Sequence, residues 1–358
     1  MGKTERIERL RKLLKAAELD AMLVSDPVSI GYLTGAKIEP FEQMWLLLVF
    51  ADRESLLFAN RLFVFGDTGI ETVWHTDSDN APMVLCDRLE GVRTLGVDRT
   101  FQAKYLVPMI HRFPELRLEV SAALEDLRIV KDEQELELMR ESSRINDAVI
   151  EEAFAKVRPG MTEKQLAAVV DEGFTAHGAQ GYCFGTIVAF GKNAADPHHE
   201  PDDTVLTEDG AVLIDMGCYW KDYCSDMTRT RFLGSVTERE KLVYETVLEA
   251  TEKAKAVIRP GVRFCDIDAA ARDHIAAAGF GEYFTHRLGH CIGLADHEPQ
   301  DVGPVNTNPV QPGMVFSIEP GIYLPGEFGV RIEDLVIVTE DGYECLNTAP
   351  RDLKVINR

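Results

Sequence analysis

The sequence has no run long enough to span a bilayer. Its longest continuous apolar stretch, MWLLLVFA at residues 44–51, suits a buried β-strand, whereas a transmembrane helix takes about 18–20 apolar residues. The amino-terminal segment MGKTERIERLRKLLKAAELD lacks the apolar core of a secretory signal and reads as an amphipathic helix. Cysteine is sparse and unpatterned. The 7 thiols, Cys86, Cys183, Cys218, Cys224, Cys265, Cys291 and Cys345, include no CxxC pair, which argues against a thiolate zinc site and a disulfide framework and favours a reducing cytoplasm. Positive charge is also short. Against 60 acidic residues stand 38 Lys and Arg, a formal net charge of −22, and such a surface repels nucleic-acid phosphates and anionic membranes. What remains is a small-molecule or peptide substrate. A content of 45% hydrophobic and 27% charged residues is that of a globular chain, not a disordered one.

At 358 residues the chain exceeds one ordinary core and divides into two parts. Residues 1–127 alternate helix and strand signals. A helix with Ile7, Leu10, Leu13 and Leu14 on one face leads to a strand at residues 21–24, then to the turn-rich YLTGAKIEP. Strands are expected at 45–50, 56–59, 94–97 and 116–120, and helices at 82–89 and 100–111. This small α/β domain is expected to make oligomer contacts and to cover a site elsewhere. Residues 128–358 form the second part. Asp132 opens a long helix that closes at Val157-Arg-Pro-Gly160; the capping box Thr162 to Gln165 starts another, ending near Gly178. Further on the pattern returns, with capping box Thr237 to Glu240, then Ile258-Arg-Pro-Gly261, a helix and Gly279. The repeat predicts a duplicated α+β unit with a pseudo-twofold and a site between its halves.

The chemistry-bearing residues lie in strands and loops between and after those helices. In AVLIDMGCYWKDYCSDMTRTR, residues 211–231, two strands joined by a tight turn carry Asp215 and Asp226. Taken alone each is equally a turn or surface residue. Downstream, residues 314–318 end in Glu319-Pro-Gly, and a strand at 329–333 pairing back carries Arg331 and Glu333 on one face. The segment HRLGHCIGLADHE supplies His286, His290 and His297, and a Gly/Asn/Pro loop ends in His198 and His199. Carboxylates delivered to one cavity repel one another unless cations neutralise them. Oxygen donors with a single imidazole suit two divalent ions, Mn²⁺ foremost with Co²⁺ or Zn²⁺ also compatible. Such a pair bridges and activates water, so the expected chemistry is metal-assisted hydrolysis.

The order Asp215, Asp226, His290, Glu319, Glu333, set in IDMG, CSDMTRTR, HRLGHCIGLADHE, SIEPGIY and GVRIED, resembles the pita-bread metallopeptidases. Within them it is similar to the branch of Xaa-Pro dipeptidase (prolidase) and aminopeptidase P. The likeness runs from about residue 129 to the end, and the YLTG segment and short first domain share it. It implies an α+β protein in which a small α/β domain precedes a duplicated pita-bread catalytic domain. It also implies a cytoplasmic homodimer that cleaves the bond before proline in di- or short peptides through a hydroxide bridging two metals. By resemblance, Asp215 holds one metal, Asp226 and Glu333 bridge, and His290 and Glu319 complete the second. His198 contacts substrate, His297 steadies the tetrahedral intermediate, Glu319 shuttles the proton, and Arg331 anchors a ligand and orients substrate.

The chain departs from that pattern in one place. Prolidases often carry an arginine before the SIEPG segment to take the substrate carboxylate, and residues 298–311 contain none. Lys37 of a neighbouring subunit is a candidate replacement, and aminopeptidase P activity on longer peptides is the alternative reading. The scaffold also serves metal-free amidinohydrolases and peptide-binding modules, but those have broken ligand sets, and all the positions named above are intact here.

Overall fold

The apolar run of the first part becomes the middle of a sheet. In the computed structural model, which describes residues 1–207 and 209–357, the chain divides into two units, Met1–Arg128 and Ile129–Arg358. Within the first, Trp45–Phe50 is buried at every position and pairs antiparallel with Ala21–Val24 and with Leu56–Asn60. A strand covered on both faces has no reason to alternate, which accounts for its unbroken hydrophobicity. Thr94–Val97 and Arg117–Val120 extend the sheet in parallel on one side and Glu71–His75 on the other. The turn-rich reading around YLTG is corrected at its start, where Pro27–Thr34 is a helix. Asp26 caps it by accepting the N–H groups of Val28 and Ser29, Pro27 supplies a pre-set φ at the first position, and Gly35 stops it at φ 75°.

The second unit is built twice. Helices Glu133–Lys156 and Glu163–Ala176 pack on the sheet of Ile187–Phe190, Gly210–Met216 and Met227–Leu233, burying Val149, Phe154, Val170 and Phe174 against Val188, Val212 and Ile214. Helices Glu238–Ala256 and Phe264–Ala277 bury Val243, Val247, Phe264 and Ile275 against Phe316, Ile322 and Val336. Each such side chain contributes about 1.5–3 kcal/mol when removed from water. The first pair of helices approaches closely because residue 173 is glycine; a Cβ there would stand 2.7 Å from Val149 Cγ1.

The repeat extends to the backbone bonds. Gly160 and Gly261 both take left-handed φ, 84° and 88°, as do Gly178 and Gly279 at 80° and 84°. The Gly160 N–H donates to the Leu206 carbonyl at 3.0 Å and Leu206 N–H returns a bond to Met161 at 2.8 Å; Gly261 with Val310 at 2.9 Å, and Val310 with Val262 at 2.8 Å, repeat the arrangement. Both expected capping boxes form, at Thr162 with Gln165 and Thr237 with Glu240, and the structure adds a third at Asp132 with Glu135. Among the described residues no helix is long and apolar enough to cross a membrane.

Candidate metal centre

Asp215 and Asp226 are brought together by two nested hairpins. Strand Gly210–Met216 pairs with Met227–Leu233 so that Asp215 opposes Thr228, and Asp226 stands immediately before the second strand. At the tip, Tyr219–Trp220 and Tyr223–Cys224 pair across Lys221 and Asp222, whose φ values of 48° and 74° are both left-handed, as a two-residue hairpin turn demands. Residue 217 must be glycine, because a Cβ there would collide with the Ser225 carbonyl oxygen. Gly289 plays the same part in the other half, where a Cβ would meet the Ser317 carbonyl, and it lets the short strand Gly289–Cys291 present His290 beside Val315–Ile318.

Glu319 follows that strand directly, its N–H bonded to the Leu288 carbonyl at 2.9 Å. The pairing expected for residues 329–333 is corrected. Phe328–Arg331 pairs with Gly321–Leu324, and the partner of Val315–Ile318 is Asp334–Val338. Glu333 sits at the junction between these two strands, its N–H held by the Thr228 carbonyl at 3.1 Å.

Asp215, Asp226, His290, Glu319 and Glu333 all line one cavity of about 280 Å³, together with His198, His297 and Arg331. His290 Nε2 lies 3.6 Å from Asp226 Oδ2 and 3.5 Å from Glu319 Oε1. Its Nδ1 is 3.2 Å from the Cys291 carbonyl; donation there leaves the Nε2 lone pair facing the carboxylates. One ligand atom from each of Asp226, His290 and Glu333 fits within 4.8 Å of the others. The remaining polar contacts fix the group from behind. Glu333 Oε2 accepts from Thr228 Oγ1 at 2.7 Å, Asp215 Oδ2 from Arg331 Nη2 at 2.6 Å, and Glu319 Oε1 from Ser317 Oγ at 3.2 Å.

Electrostatics make the case for cations. Burial, then repulsion from Glu333, Asp215 and Glu319, holds the Asp226 carboxyl well above the usual range; burial, with Glu319 and Asp215, does the same for Glu333. Burial pushes Glu319 up to about 7 against the opposing charge of Arg331, and burial drives His290 down to about 3, so its imidazole is neutral. Asp215 Oδ1 and Asp226 Oδ1 are buried with no hydrogen-bond partner among the described residues, a costly state for an anionic oxygen unless a cation meets it. Hard oxygen donors with one neutral imidazole fit divalent ions of the Mn²⁺ kind.

Around this core the histidines separate by role. His198 lines the cavity. His199 instead bonds Glu163 Oε2 at 2.7 Å, and Glu163 also accepts from Phe190 N–H, Asn193 and Asp202 N–H; the Glu163, His199 and Asp202 group is thus already satisfied by the fold. His297 is stacked on His290, ring centroids 3.9 Å apart, with 59% of its side chain exposed. It rides on a loop pinned by Glu298, which takes Lys131 Nζ at 3.1 Å and the Leu294 N–H at 3.0 Å. Two polar residues of the lining, His286 and Arg287, have no role assigned from the sequence. His286 Nε2 bonds the Tyr323 hydroxyl at 2.8 Å, and that hydroxyl accepts from Arg331 Nη1 at 3.0 Å; burial and then Arg331 push His286 down to about 4. Arg287 is the other, on the same HRLGH segment.

Known proteins place these features in one family. Residues 137–340 match the pattern of metallopeptidase family M24, and residues 6–130 that of the Creatinase/Prolidase N-terminal domain. An uncharacterized peptidase of Staphylococcus saprophyticus is 36% identical over 346 residues, spanning 95% of this chain and 98% of its own. Dipeptidase PepE from Mycobacterium ulcerans superposes with a TM-score of 0.94 at 33% identity over 99% of this chain and 98% of its own. A prolidase from Thermococcus sibiricus does so with 0.93 at 31% identity over 99% of each. Likeness of that order along nearly the whole of both chains carries a direct conclusion: the chain belongs to metallopeptidase family M24, with the prolidase-type pita-bread fold.

Proposed function

We propose that the protein is an Xaa-Pro dipeptidase that hydrolyses the bond preceding proline, with two divalent ions, Mn²⁺ foremost, held by Asp215, Asp226, His290, Glu319 and Glu333. The observation that carries this reading is the convergence of those donors on one cavity, with buried carboxylate oxygens of Asp215 and Asp226 that have no hydrogen-bond partner among the described residues. The dipeptidase and prolidase neighbours support the substrate class. Bound there, such ions supply an activated water and a polarised carbonyl.

The side chains supply the rest. The nitrogen leaving an Xaa-Pro bond is a tertiary amide without an N–H, so it needs a proton as the bond breaks. Glu319, fixed by Ser317, takes a proton from the water and returns it to that nitrogen. His297, stacked on His290 with its Nδ1 3.3 Å from Asp296 Oδ2, donates to the oxyanion of the tetrahedral intermediate. His198 binds the substrate from the opposite loop. Arg331, tied to Asp215 and Tyr323, keeps the Asp215 carboxylate oriented. The absence of arginine from residues 298–311 favours one second reading, aminopeptidase P activity on longer peptides. A cytoplasmic homodimer completes the proposal, with the first domain contributing to the contact.

Hydrolysis of Ala-Pro and Ala-Pro-Gly in parallel, with Mn²⁺ and with chelator, tests it. Metal-dependent release of alanine from Ala-Pro is expected. Cleavage of the tripeptide alone would install the second reading, and no cleavage of either would refute both.

A further inference from the structure

We infer that Arg287 anchors the free carboxylate of the substrate's carboxy-terminal residue and so makes the cavity a dipeptide site. The inference rests on the Xaa-Pro reading above and adds the residue that sets substrate length.

Two guanidinium groups line the cavity, those of Arg331 and Arg287. Arg331 has nothing left to offer a ligand. Its Nη2 is on Asp215, its Nη1 bonds the Tyr323 hydroxyl at 3.0 Å and the Pro197 carbonyl at 3.3 Å, its Nε bonds Thr228 Oγ1 at 3.0 Å, and its side chain is 3% exposed. Arg287 is the opposite case. Its side chain is 37% exposed, its Nε stands 3.0 Å from Asp301 Oδ1, and among the described residues no hydrogen bond reaches either of its Nη atoms. Asp301 thus stands beside the root of the fork as a counter-charge without a hydrogen bond to it, and the end of the fork is uncommitted. The start of the side chain packs beside Gly303, where an added Cβ would lie 3.4 Å from Arg287 Cβ.

Position and chemistry then agree. Covalent geometry keeps the carboxylate of an Xaa-Pro dipeptide within roughly 4 Å of the scissile nitrogen, so its anchor must share a cavity with the metal donors, and Arg287 does. It stands on the same segment as His290, and its charge reaches both His290 and Glu319. A planar fork matches a carboxylate through two parallel bonds. The other charged side chains lining the cavity are the carboxylates Asp215, Asp226, Glu319 and Glu333 and the committed Arg331, so with the carboxylates spent on the metals, Arg287 is the lining side-chain cation left for an anionic substrate end. A longer peptide puts a neutral amide there and leaves the guanidinium without a counter-charge. The cation missing from residues 298–311 is thereby supplied from the histidine segment.

The test uses the Mn²⁺-loaded protein, with metal content verified in each variant. For the wild type, free proline should inhibit at least tenfold more strongly than prolinamide, and Ala-Pro should be preferred over Ala-Pro amide in kcat/KM. In Arg287→Gln the ratio of kcat/KM for Ala-Pro to that for the amide should fall about 10- to 100-fold, the scale of one charge-assisted contact. The change should be carried by KM, and Arg287→Lys should recover part of it. Equal inhibition of the wild type by proline and prolinamide would overturn the inference without any variant. So would an unchanged ratio in Arg287→Gln, a loss of kcat on both substrates alike, or a ratio that falls in Lys37→Ala instead. A wild type that cleaves neither Ala-Pro nor its amide would refute the Xaa-Pro reading itself, before any variant is compared.

Discussion

Removing metal should make the protein's stability fall as pH rises, and the size of the effect can be worked from Glu319. Its carboxyl titrates ordinarily near 4.5 and is pushed up to about 7 by burial. Between those pH values the folded, metal-free protein keeps a proton that the unfolded chain has released. The native state then binds more protons than the unfolded one, so stability drops with increasing pH. At about 1.4 kcal/mol per tenfold change in proton affinity, the loss is about 3 kcal/mol. At roughly 2–4 °C per kcal/mol for a domain of this size, Tm falls by about 6–12 °C between about pH 5 and pH 8. Asp226 and Glu333 are raised as well and act with the same sign. Thermal unfolding of chelator-treated wild type and Glu319→Gln, in about 1 M salt to screen the acidic surface, isolates the contribution. The wild type should lose more Tm than the variant over that range, and Mn²⁺ should restore most at pH 8 and least at pH 5. Identical pH dependence in the two proteins would refute the argument.

Two substitutions separate metal binding from chemistry. Asp226→Asn should abolish occupancy of at least one metal by elemental analysis, while the metal-free variant gains stability at pH 8 because a repelled charge is gone; retention of both ions would contradict its role as a ligand. His297→Ala should lower kcat by about 10²–10³-fold, as loss of an oxyanion donor does, with metal content intact; simultaneous loss of metal would show that the stacked ring supports His290 and not the intermediate.

Some of this architecture is written locally. The capping boxes at Thr162 and Thr237 close within a few residues, so their sequence alone announces them, and the glycines of the two RPG turns mark left-handed backbone in both halves. The hairpin bearing Asp215 and Asp226 is legible for the same reason, since apolar runs flank a short turn. Elements that depend on remote partners are not legible in this way. Pro27–Thr34 has only Asp26, Pro27 and Gly35 to signal it, and its own residues include poor helix formers. The partner of Val315–Ile318 could not be chosen between two nearby strands, because the residues on both sides of Glu333 carry strand-forming apolar side chains. His198 and His199 are adjacent in sequence, and only the buried Glu163 that captures the second tells them apart.

Sequence alone therefore settled which chemistry the chain is equipped for: the duplicated helix pairs, and acidic and imidazole donors at strand ends where an uncompensated charge would be costly. Only the tertiary structure decided which side chains are spent and which remain available. Arg331 is consumed by Asp215, Tyr323 and Thr228, while among the described residues no hydrogen bond takes the outer nitrogens of Arg287. That distinction depends on hydrogen-bond partners remote in the chain, and a bond between distant residues leaves no trace in the spacing of either one.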